Sequence, residues 1–453
     1  MESFEIAFAS VICMLLLIYL GMHVAIVLAL VSFVGVWIIR SLDAAVLHLW
    51  SAASQTVSDS VFAVVPLYVL MGSLAGVAGM GRDTYDVAQR MIGGIRGSLG
   101  IATVFANAIF AAVTGVSVAS ASIFAKLSVP EMMRHGYRAS FAVGVVAGSS
   151  ILGMLIPFSV LMIVYGIIAE QSIGDLFIAG IGPGILMVVA FSGLILGMAY
   201  GLPRAVFLED AANARSGAGA AAATTGHDMQ EAAPSRGLVA QAMPIVILVS
   251  VVMGGIYTGI FTPIEAAAIG SLIALTIALA RGALDWGRFR DVLLETGNVT
   301  AVVLFMIVGA SMYSKMLGVS GLPTQMGNAI SQMDASYPML IGIYIAIVLL
   351  LGTLIDSVSI MLIMVPLFMV LLAPFQVDMI WFGIVTIIAA EIGLLTPPFG
   401  LSVFVVHSTL AREDIPLRTV FAGSGIFAAT MFIVLMLVVA FPSIATWLVQ
   451  VRN

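Results

Sequence analysis

The sequence predicts an all-α polytopic membrane protein, from its composition, the continuity of its apolar runs and the grouping of its charges. Hydrophobic residues make up 62% of the 453-residue chain and charged residues only 9%, whereas an ordinary soluble domain has about 25% charged residues. Because so few charged residues cannot cover the surface of a 453-residue protein in water, lipid must be the main solvent. The apolar runs are continuous rather than alternating, which disfavours a β-barrel.

The length of the apolar runs leaves room for about a dozen membrane segments, at roughly 20 residues per crossing. Charges are grouped between these runs, as at 82–96 and 126–138, and basic groups mark candidate cytoplasmic loops. The net charge is −6 and there is no basic tract with interleaved aromatics, so no nucleic-acid partner is expected. Cys13 is the single cysteine, which excludes a disulfide within the chain.

Residues 209–237 differ in kind from the rest of the chain. Alanine, glycine, serine and threonine dominate the stretch and large apolar residues are nearly absent, a composition typical of a flexible linker. The linker divides the chain almost in half. An internal repeat is therefore worth testing.

Two features recur in the same order in both halves. A stretch of glycine and small hydroxylated residues runs into an apolar segment closing on Val-Pro, and a second segment carries a glycine followed by a proline break. From Pro130 to Pro157 the spacing is 27 residues, and from Pro366 to Pro397 it is 31. An ordered pair of similarities at nearly equal spacing predicts an internal repeat.

The repeated segments predict two unusual membrane elements. Stretches 102–130 and 350–372 have small polar residues near their middles and arms too short for a full crossing, so we expect re-entrant hairpins. The segments with proline breaks are expected to be discontinuous helices. Unpaired backbone groups cost several kcal/mol in hydrocarbon, so such a break persists only where protein, water or a bound ion satisfies it. Freed carbonyls and hydroxyls suit a hard cation such as sodium, and half-helix N-termini favour an anion.

Among the acidic residues within or beside apolar runs, Asp356, Glu391 and Glu265 have candidate roles. An intramembrane carboxylate such as Asp356 is costly, and it is interpreted either as a cation ligand or as a hydrogen-bonded structural acid. For Glu391 a ligand role and a scaffold role are equally open. Glu265 follows Thr262 and Pro263 in the pattern of an N-terminal capping box, which indicates a structural role.

Small hydroxylated residues cluster at the tip of the first predicted hairpin, among them Thr114, Ser117 and Ser120. They are candidates for ion or substrate binding, although serines also allow membrane helices to pack closely. The histidines and serines show no recognisable pairing of nucleophile and base. An intramembrane enzyme or assembly scaffold is therefore the least favoured function class, and we expect no enzymatic activity.

The sequence resembles the large membrane subunit (DctM type) of tripartite ATP-independent periplasmic (TRAP) transporters over nearly its whole length. The resemblance begins at "GMHVAIVLAL", and its most specific parts are "TGVSVASAS" in the first hairpin and "FGIVTIIAAEIGLLTPPFGLSVFVV" near the end. The family usually has a double proline in the first break, where this chain has Ile156-Pro157-Phe158-Ser159. The insert at 209–237 is also longer than usual.

The resemblance implies an inverted repeat with two re-entrant hairpins and two discontinuous helices, in which a mobile transport domain slides against a scaffold (elevator type). The implied divisions are N-terminal scaffold helices in 1–96, a first transport repeat of hairpin, broken helix and following helix in 97–200, a flexible polar linker loop in 201–237, second-half scaffold helices in 238–336, a second transport repeat of hairpin plus broken helix in 337–411, and a C-terminal helix in 412–453.

The implied function is the large transmembrane subunit of a sodium-coupled secondary transporter that imports an organic acid across the bacterial inner membrane. The implied partners are a small four-helix membrane subunit and an extracytoplasmic solute-binding protein that delivers the acid. No cofactor is expected beyond the coupling ion Na⁺. The alternative is a stand-alone cation/dicarboxylate symporter that needs no binding protein. Sialic acids, four-carbon dicarboxylates, other sugar acids and keto acids all remain open as substrates.

Motif matching also implies which residues bind the ions and the substrate, with sodium as the only metal. The expected cation-binding residues are Thr114, Gly115, Ser117, Gly153, Ile156 and Ser159 in the first half, and Gly352, Asp356, Ser357, Gly393, Thr396 and Gly400 in the second. The substrate carboxylate is expected between the two hairpin tips. The expected substrate-binding residues are Ser120, Pro157, Ser159, Ser359, Pro397 and Pro398.

Overall fold

A computed structural model describes residues 3–208, 237–322, 325, 336–410 and 415–452. In these residues the regular elements are α-helices with two short 3₁₀ turns, as expected for an all-α protein. The predicted linker at 209–237 lies outside the described residues except for Gly237.

The first half of the chain forms twelve α-helices within the described residues. They are α1 (Ser3–Tyr19), α2 (Val24–Ile39), α3 (Leu42–Ser58), α4 (Val64–Val77), α5 (Met80–Ile92), α6 (Ser98–Thr114), α7 (Ser117–Arg134), α8 (Ala139–Ser150), α9 (Leu152–Leu155), α10 (Val160–Ile168), α11 (Ile173–Gly201) and α12 (Pro203–Val206).

The second half contributes nine more helices to the described part of the chain. They are α13 (Leu238–Tyr257), α14 (Pro263–Ala280), α15 (Trp286–Ser320), α16 (Tyr337–Gly352), α17 (Ser357–Leu372), α18 (Met379–Gly393), α19 (Leu401–Leu410), α20 (Leu417–Ala440) and α21 (Ser443–Arg452).

Seven helices within the described ranges are long and apolar enough to cross a membrane, and a bent pair makes an eighth. This confirms a multi-pass membrane protein, although the number is smaller than the dozen that apolar length alone predicts. The difference arises because several apolar runs fold into helices of 10–17 residues, which are shorter than a full crossing. Helices α6, α16 and α18 are of this kind.

Helices that precede the linker pack against helices that follow it. Helices α2, α3 and α4 lie against α15, α4 lies against α14, and α13 lies against α5. Arg281 joins the halves by an ion pair with Asp83 and by donating a hydrogen bond to the Ala78 carbonyl at 2.9 Å. The predicted capping box at the start of α14 is confirmed, with Thr262 and Glu265 bonding each other's backbone N–H groups.

A second group of helices packs around α8, α18 and α20, and its helix α6 also packs on α5. Helix α8 packs against α6, α7 and α20, and α18 packs against α16 and α20. Glycines permit the closest crossing, since a Cβ built on Gly144 would lie 2.5 Å from the Gly423 carbonyl carbon. The crossing of α8 and α20 therefore requires glycine at positions 144 and 423, because a larger residue would separate the two helices.

The C-terminal segment was expected to hold one helix in 412–453 and instead holds two, α20 and α21. Phe441 and Pro442 separate them. Proline disfavours helical geometry at the preceding residue, and Phe441 has φ −127° and ψ 78°. Helix α21 then packs along α11, where Arg452 pairs with Asp175.

Candidate functional site

The first predicted hairpin consists of α6 and α7, which pack against each other. The structure extends it to Ser98–Arg134 from the predicted 102–130. Only Gly115 and Val116 separate the arms, and the turn depends on the left-handed backbone of Gly115 at φ +64°. The arms have 17 and 18 residues, and neither is among the described helices that are both long and apolar enough to cross a membrane.

The first predicted break separates α9 from α10, and the axis bends by 41° across it. Ile156–Ser159 are not helical. The buried Ser159 hydroxyl caps α10 by accepting N–H bonds from Leu161 at 3.1 Å and Met162 at 3.4 Å, which satisfies backbone donors that the break leaves unpaired. Phe158 takes φ +76°, an uncommon geometry for a residue other than glycine.

An aromatic cluster holds Phe158 in that geometry. Its ring stacks on Tyr68 with centroids 5.1 Å apart and meets Phe177 edge-on at 5.5 Å. All three side chains are buried. The single-proline break that departs from the family pattern is therefore supported by packing on α4 and α11.

The tip of the first hairpin lies directly on the first break. The Val160 N–H donates to the Gly115 carbonyl at 3.3 Å, and a Cβ on Gly115 would lie 2.2 Å from the Phe158 oxygen. Gly153 approaches the hairpin from the other side of the break, with a built Cβ 3.7 Å from the Ser117 nitrogen. The structure thus brings Thr114, Gly115, Ser117, Gly153 and Ser159 together in one buried cluster, whereas the half-buried Ile156 side chain lines an apolar cavity.

The second hairpin consists of α16 and α17, joined by four residues from Thr353 to Asp356. Its first arm begins at Tyr337, earlier than the predicted residue 350, because no helix-breaking residue interrupts the apolar run after Pro338. Asp356 caps α17: its Oδ1 accepts the Ser359 N–H at 3.0 Å and its Oδ2 accepts the Ser359 hydroxyl. This places both predicted residues at the hairpin tip.

The second break separates α18 from α19 by seven residues, from Leu394 to Gly400. The Thr396 hydroxyl donates to the Ile392 carbonyl at 2.8 Å, and Gly400 takes the left-handed backbone at φ +51°. Pro397 and Pro398 are exposed on the surface of the chain. Both predicted breaks are therefore present, and the second is longer and more open than the first.

The second tip also lies directly on its break, through two glycines. A Cβ built on Gly393 would lie 2.4 Å from the Gly352 Cα, so neither position admits a side chain without separating the helices. The Ser357 hydroxyl donates to Glu391 Oε1 at 2.8 Å. Gly352, Ser357 and Gly393 therefore form a second cluster next to Asp356.

Glu391 joins the second hairpin to the broken helix, a contact that the sequence left undecided. The side chain is 1% exposed, and its Oε2 has no hydrogen-bond partner among the described residues. It borders a cavity of about 10 Å³ whose other walls are apolar side chains of α9, α11, α18 and α20. An acidic residue within the last turn before a break is the signal that could have indicated this role.

The predicted substrate-binding residues do not all share one environment. Ser120 is buried one turn into α7 and its hydroxyl has no partner among the described residues, and Ser359 bonds Asp356. Pro157 is buried and lines an apolar cavity of about 340 Å³ together with residues of α6, α11 and α13. Pro157 therefore faces hydrophobic side chains rather than the hydroxyl groups.

The two hairpin units interlock through their half-helices. Helix α10, which follows the first break, packs on α17 of the second hairpin, and α19, which follows the second break, packs on α7 of the first. The Thr409 hydroxyl donates to Ser122 at 3.4 Å across this second contact. Each break thus sends its second half-helix onto the hairpin of the other half.

The chemistry available at the two clusters is that of oxygen ligands. Carbonyls, hydroxyls and the Asp356 carboxylate suit hard cations, and α7, α10, α17 and α19 begin at the tips and breaks, where their N-termini carry partial positive charge. Within the described ranges no three His, Cys, Asp or Glu side chains group to hold a metal ion.

A polytopic helical membrane protein with a hairpin tip against an interrupted helix in each half has the construction of a secondary transporter. The chain matches the family described as "Tripartite ATP-independent periplasmic transporter, DctM component" over residues 11–444 and belongs to that family. The resemblance predicted from the sequence is thereby confirmed.

Individual relatives agree with this assignment, and one solved structure has a similar fold. The chain is 32% identical to the C4-dicarboxylate TRAP transporter large permease protein DctM of Pseudomonas aeruginosa, covering 83% of this chain and 81% of that protein. It is 32% identical to the sialic acid TRAP transporter large permease protein SiaM of Vibrio cholerae, covering 83% of each. The fold is similar to the crystal structure of the YdaH transporter of Alcanivorax borkumensis, with a TM-score of 0.64, 12% identity, and 88% and 87% of the two chains covered.

The contact between Gly352 and Gly393 gives a prediction about the second cluster. Gly352→Ala would place a Cβ 2.8 Å from the Gly393 Cα, and overpacking of this kind costs about 1–3 kcal/mol. We expect faster amide hydrogen exchange at the second hairpin tip and a lower Tm. Gly342→Ala on the same helix is the control, because a Cβ there meets nothing within 4 Å. Equal Tm values and equal exchange rates in the two variants would contradict the close contact between Gly352 and Gly393.

Proposed function

We propose that the chain is the large transmembrane subunit of a sodium-coupled secondary transporter, which imports an organic acid delivered by an extracytoplasmic binding protein. The observation that carries the proposal is the seating of a hairpin tip on an interrupted helix in each half of the chain. Paired interruptions of this kind expose polar backbone inside the membrane region, where transporters bind their ions and cargo.

An inverted repeat is supported by equivalent contacts in the two halves. Gly115 and Gly352 each end the first arm of a hairpin, and each meets the following broken helix through its backbone. The first arm also makes a polar contact with the broken helix in each half: Asn107 donates to Ser149 at 2.6 Å, and the hydroxyls of Tyr344 and Thr386 lie 2.7 Å apart. Both pairs are 42 residues apart in the sequence.

Sodium is the proposed coupling ion because the clusters offer hard oxygen ligands and little charge. One ion would bind among the carbonyls and hydroxyls of Thr114–Ser117 and Gly153–Ser159, and a second among those of Gly352–Ser357 and Gly393–Gly400. Asp356 would supply the negative charge of the second site. The first site contains no carboxylate, which favours a monovalent ion there.

The proposed substrate is an organic acid held between the hairpin tips. Helices α7 and α17 begin at those tips, and the N-terminus of a helix stabilises an anion. Ser120, whose hydroxyl has no partner among the described residues, would donate a hydrogen bond to the carboxylate, and Ser359 would do so on leaving Asp356. The relatives are named for C4-dicarboxylates and for sialic acid, and both of these substrates are carboxylates.

The interlocking of the two hairpin units, in which each half-helix packs on the hairpin of the other half, supports an elevator movement. Helices in 1–96 and 238–336 would form the scaffold, and the interlocked units in 97–200 and 337–411 would slide as the transport domain. Apolar side chains on α2 and α3 are exposed, including Trp37, Leu47 and Trp50. This surface would pack against the small four-helix membrane subunit.

The family is described as tripartite and periplasmic, which supports two further components and a location in the bacterial inner membrane. A stand-alone symporter is not favoured, because the chain matches the tripartite family over residues 11–444. An enzymatic role is not proposed, because the relatives are named as permeases.

Uptake by reconstituted vesicles tests the function directly. The chain and its small membrane subunit are placed in proteoliposomes, and uptake of succinate and of sialic acid is measured with and without the binding protein of the same system. We expect uptake only with the binding protein and an inward sodium gradient. A full rate without the binding protein would favour the symporter, and a full rate in potassium alone would contradict sodium coupling.

Sodium binding can also be tested on the purified chain without any substrate. A ligand at 100 times its dissociation constant stabilises the folded state by about 2.7 kcal/mol, so sodium should raise the Tm above its value in equal potassium chloride. Asp356→Asn keeps a capping side chain but removes the charge, and most of the sodium-dependent rise should be lost. Asp378→Asn is the matched control, because Asp378 caps α18 in the same way at the end remote from the break. Equal losses in both variants would contradict a sodium site at Asp356.

A further inference from the structure

A cavity of about 190 Å³ lies where α8, α12 and α20 begin and α11 ends, outside the candidate ion and substrate clusters. Helices α11 and α20 have membrane length, and the cavity extends from Arg138, near the end of α11, to Phe427 within α20, so we expect its Arg138 end to lie near the boundary between hydrocarbon and water. One part of its wall is polar, with Arg138 and Ser140. The other part is apolar, with Phe141, Met198 and Phe427 among its members.

The local fold holds Arg138 in a fixed position. Its backbone N–H donates to the Val206 carbonyl at 2.8 Å, and its Nε donates to the Phe207 carbonyl at 3.3 Å. The two Nη groups have no hydrogen-bond or ion-pair partner among the described residues. An arginine whose Nε is fixed on a backbone carbonyl can direct its Nη donors at a phosphate group.

Backbone N–H groups and two further arginines lie near this position. Arg138 is the N-cap of α8 and makes no side-chain capping bond, so the first N–H groups of this 12-residue helix are available to an anion. Arg204 directly precedes the lining residue Ala205, and Arg418 lies one helical turn before the lining residue Ala422. Among the described residues that line the cavity, none is acidic.

We propose that this cavity binds an anionic phospholipid, with the phosphate on Arg138 and an acyl chain along Phe141, Met198 and Phe427. The mixed wall favours a lipid over free phosphate, because an inorganic ion would leave the apolar part without an occupant. A bound lipid would hold the start of the first broken helix against α20. The proposal concerns binding alone and does not depend on the proposed transport function.

Lipid titration of the purified full-length chain tests the proposal. Dioleoylphosphatidylglycerol, dioleoylphosphatidylcholine and inorganic phosphate are added separately, and binding is followed by native mass spectrometry and by the shift in Tm. We expect binding of phosphatidylglycerol, weaker binding of phosphatidylcholine, and no competition from inorganic phosphate. Competition by phosphate at matched concentration would overturn the lipid assignment.

Variants then locate the lipid on the chain. Arg138→Gln should weaken phosphatidylglycerol binding about fivefold, the effect of one interfacial cation. Arg134→Gln is the matched control, because Arg134 ends the preceding helix α7 and 79% of its side chain is exposed. Ala422→Trp should fill the cavity and weaken binding without changing charge, and it serves as the test if Arg138→Gln does not fold. Equal effects of Arg138→Gln and Arg134→Gln, or unchanged binding by Ala422→Trp, would overturn the site.

Discussion

Backbone hydrogen bonding in the absence of water is the constraint on which this structure depends. In hydrocarbon every N–H and C=O must find a partner inside the protein, so a helix can be interrupted only where another segment meets it. The first break meets the Gly115 carbonyl and is capped by Ser159. The second lies against Gly352, where the glycine contact allows the backbones to approach. The hairpins, the small residues at their tips and the interlocked half-helices all follow from this requirement.

The two halves of the chain stabilise their helix breaks in different ways. The first break is short and buried, and the stacking of Phe158 on Tyr68 supports it. The second break is longer and carries two exposed prolines, and an acidic residue, Glu391, ties its broken helix to the hairpin. A carboxylate buried beside the second cluster, with one oxygen unpaired among the described residues, makes that half the more polar of the two. The second half is accordingly the better candidate for the site that responds most strongly to an ion.

The sequence was informative wherever a local rule applies. Composition identified the membrane class, the Pro and Gly pattern located both breaks, and the spacing of Thr262 and Glu265 identified a capping box. It was less informative where packing between distant segments decides the outcome. The start of the second hairpin at Tyr337 and the bond from Ser357 to Glu391 depend on neighbours far away in the chain. The stacking of Phe158 on Tyr68 likewise joins residues that no local pattern relates.

The central claim is that the helix interruptions exist to expose polar groups for ions and cargo, and removing one interruption tests it most directly. The double variant Pro397→Ala/Pro398→Ala restores backbone donors and lets α18 continue toward α19. The measurement is sodium-driven uptake in proteoliposomes at an unchanged amount of folded protein, with Pro416→Ala, outside the break, as the control. The account predicts loss of uptake in the double variant and normal uptake in the control. Uptake at the wild-type rate by the double variant would contradict it.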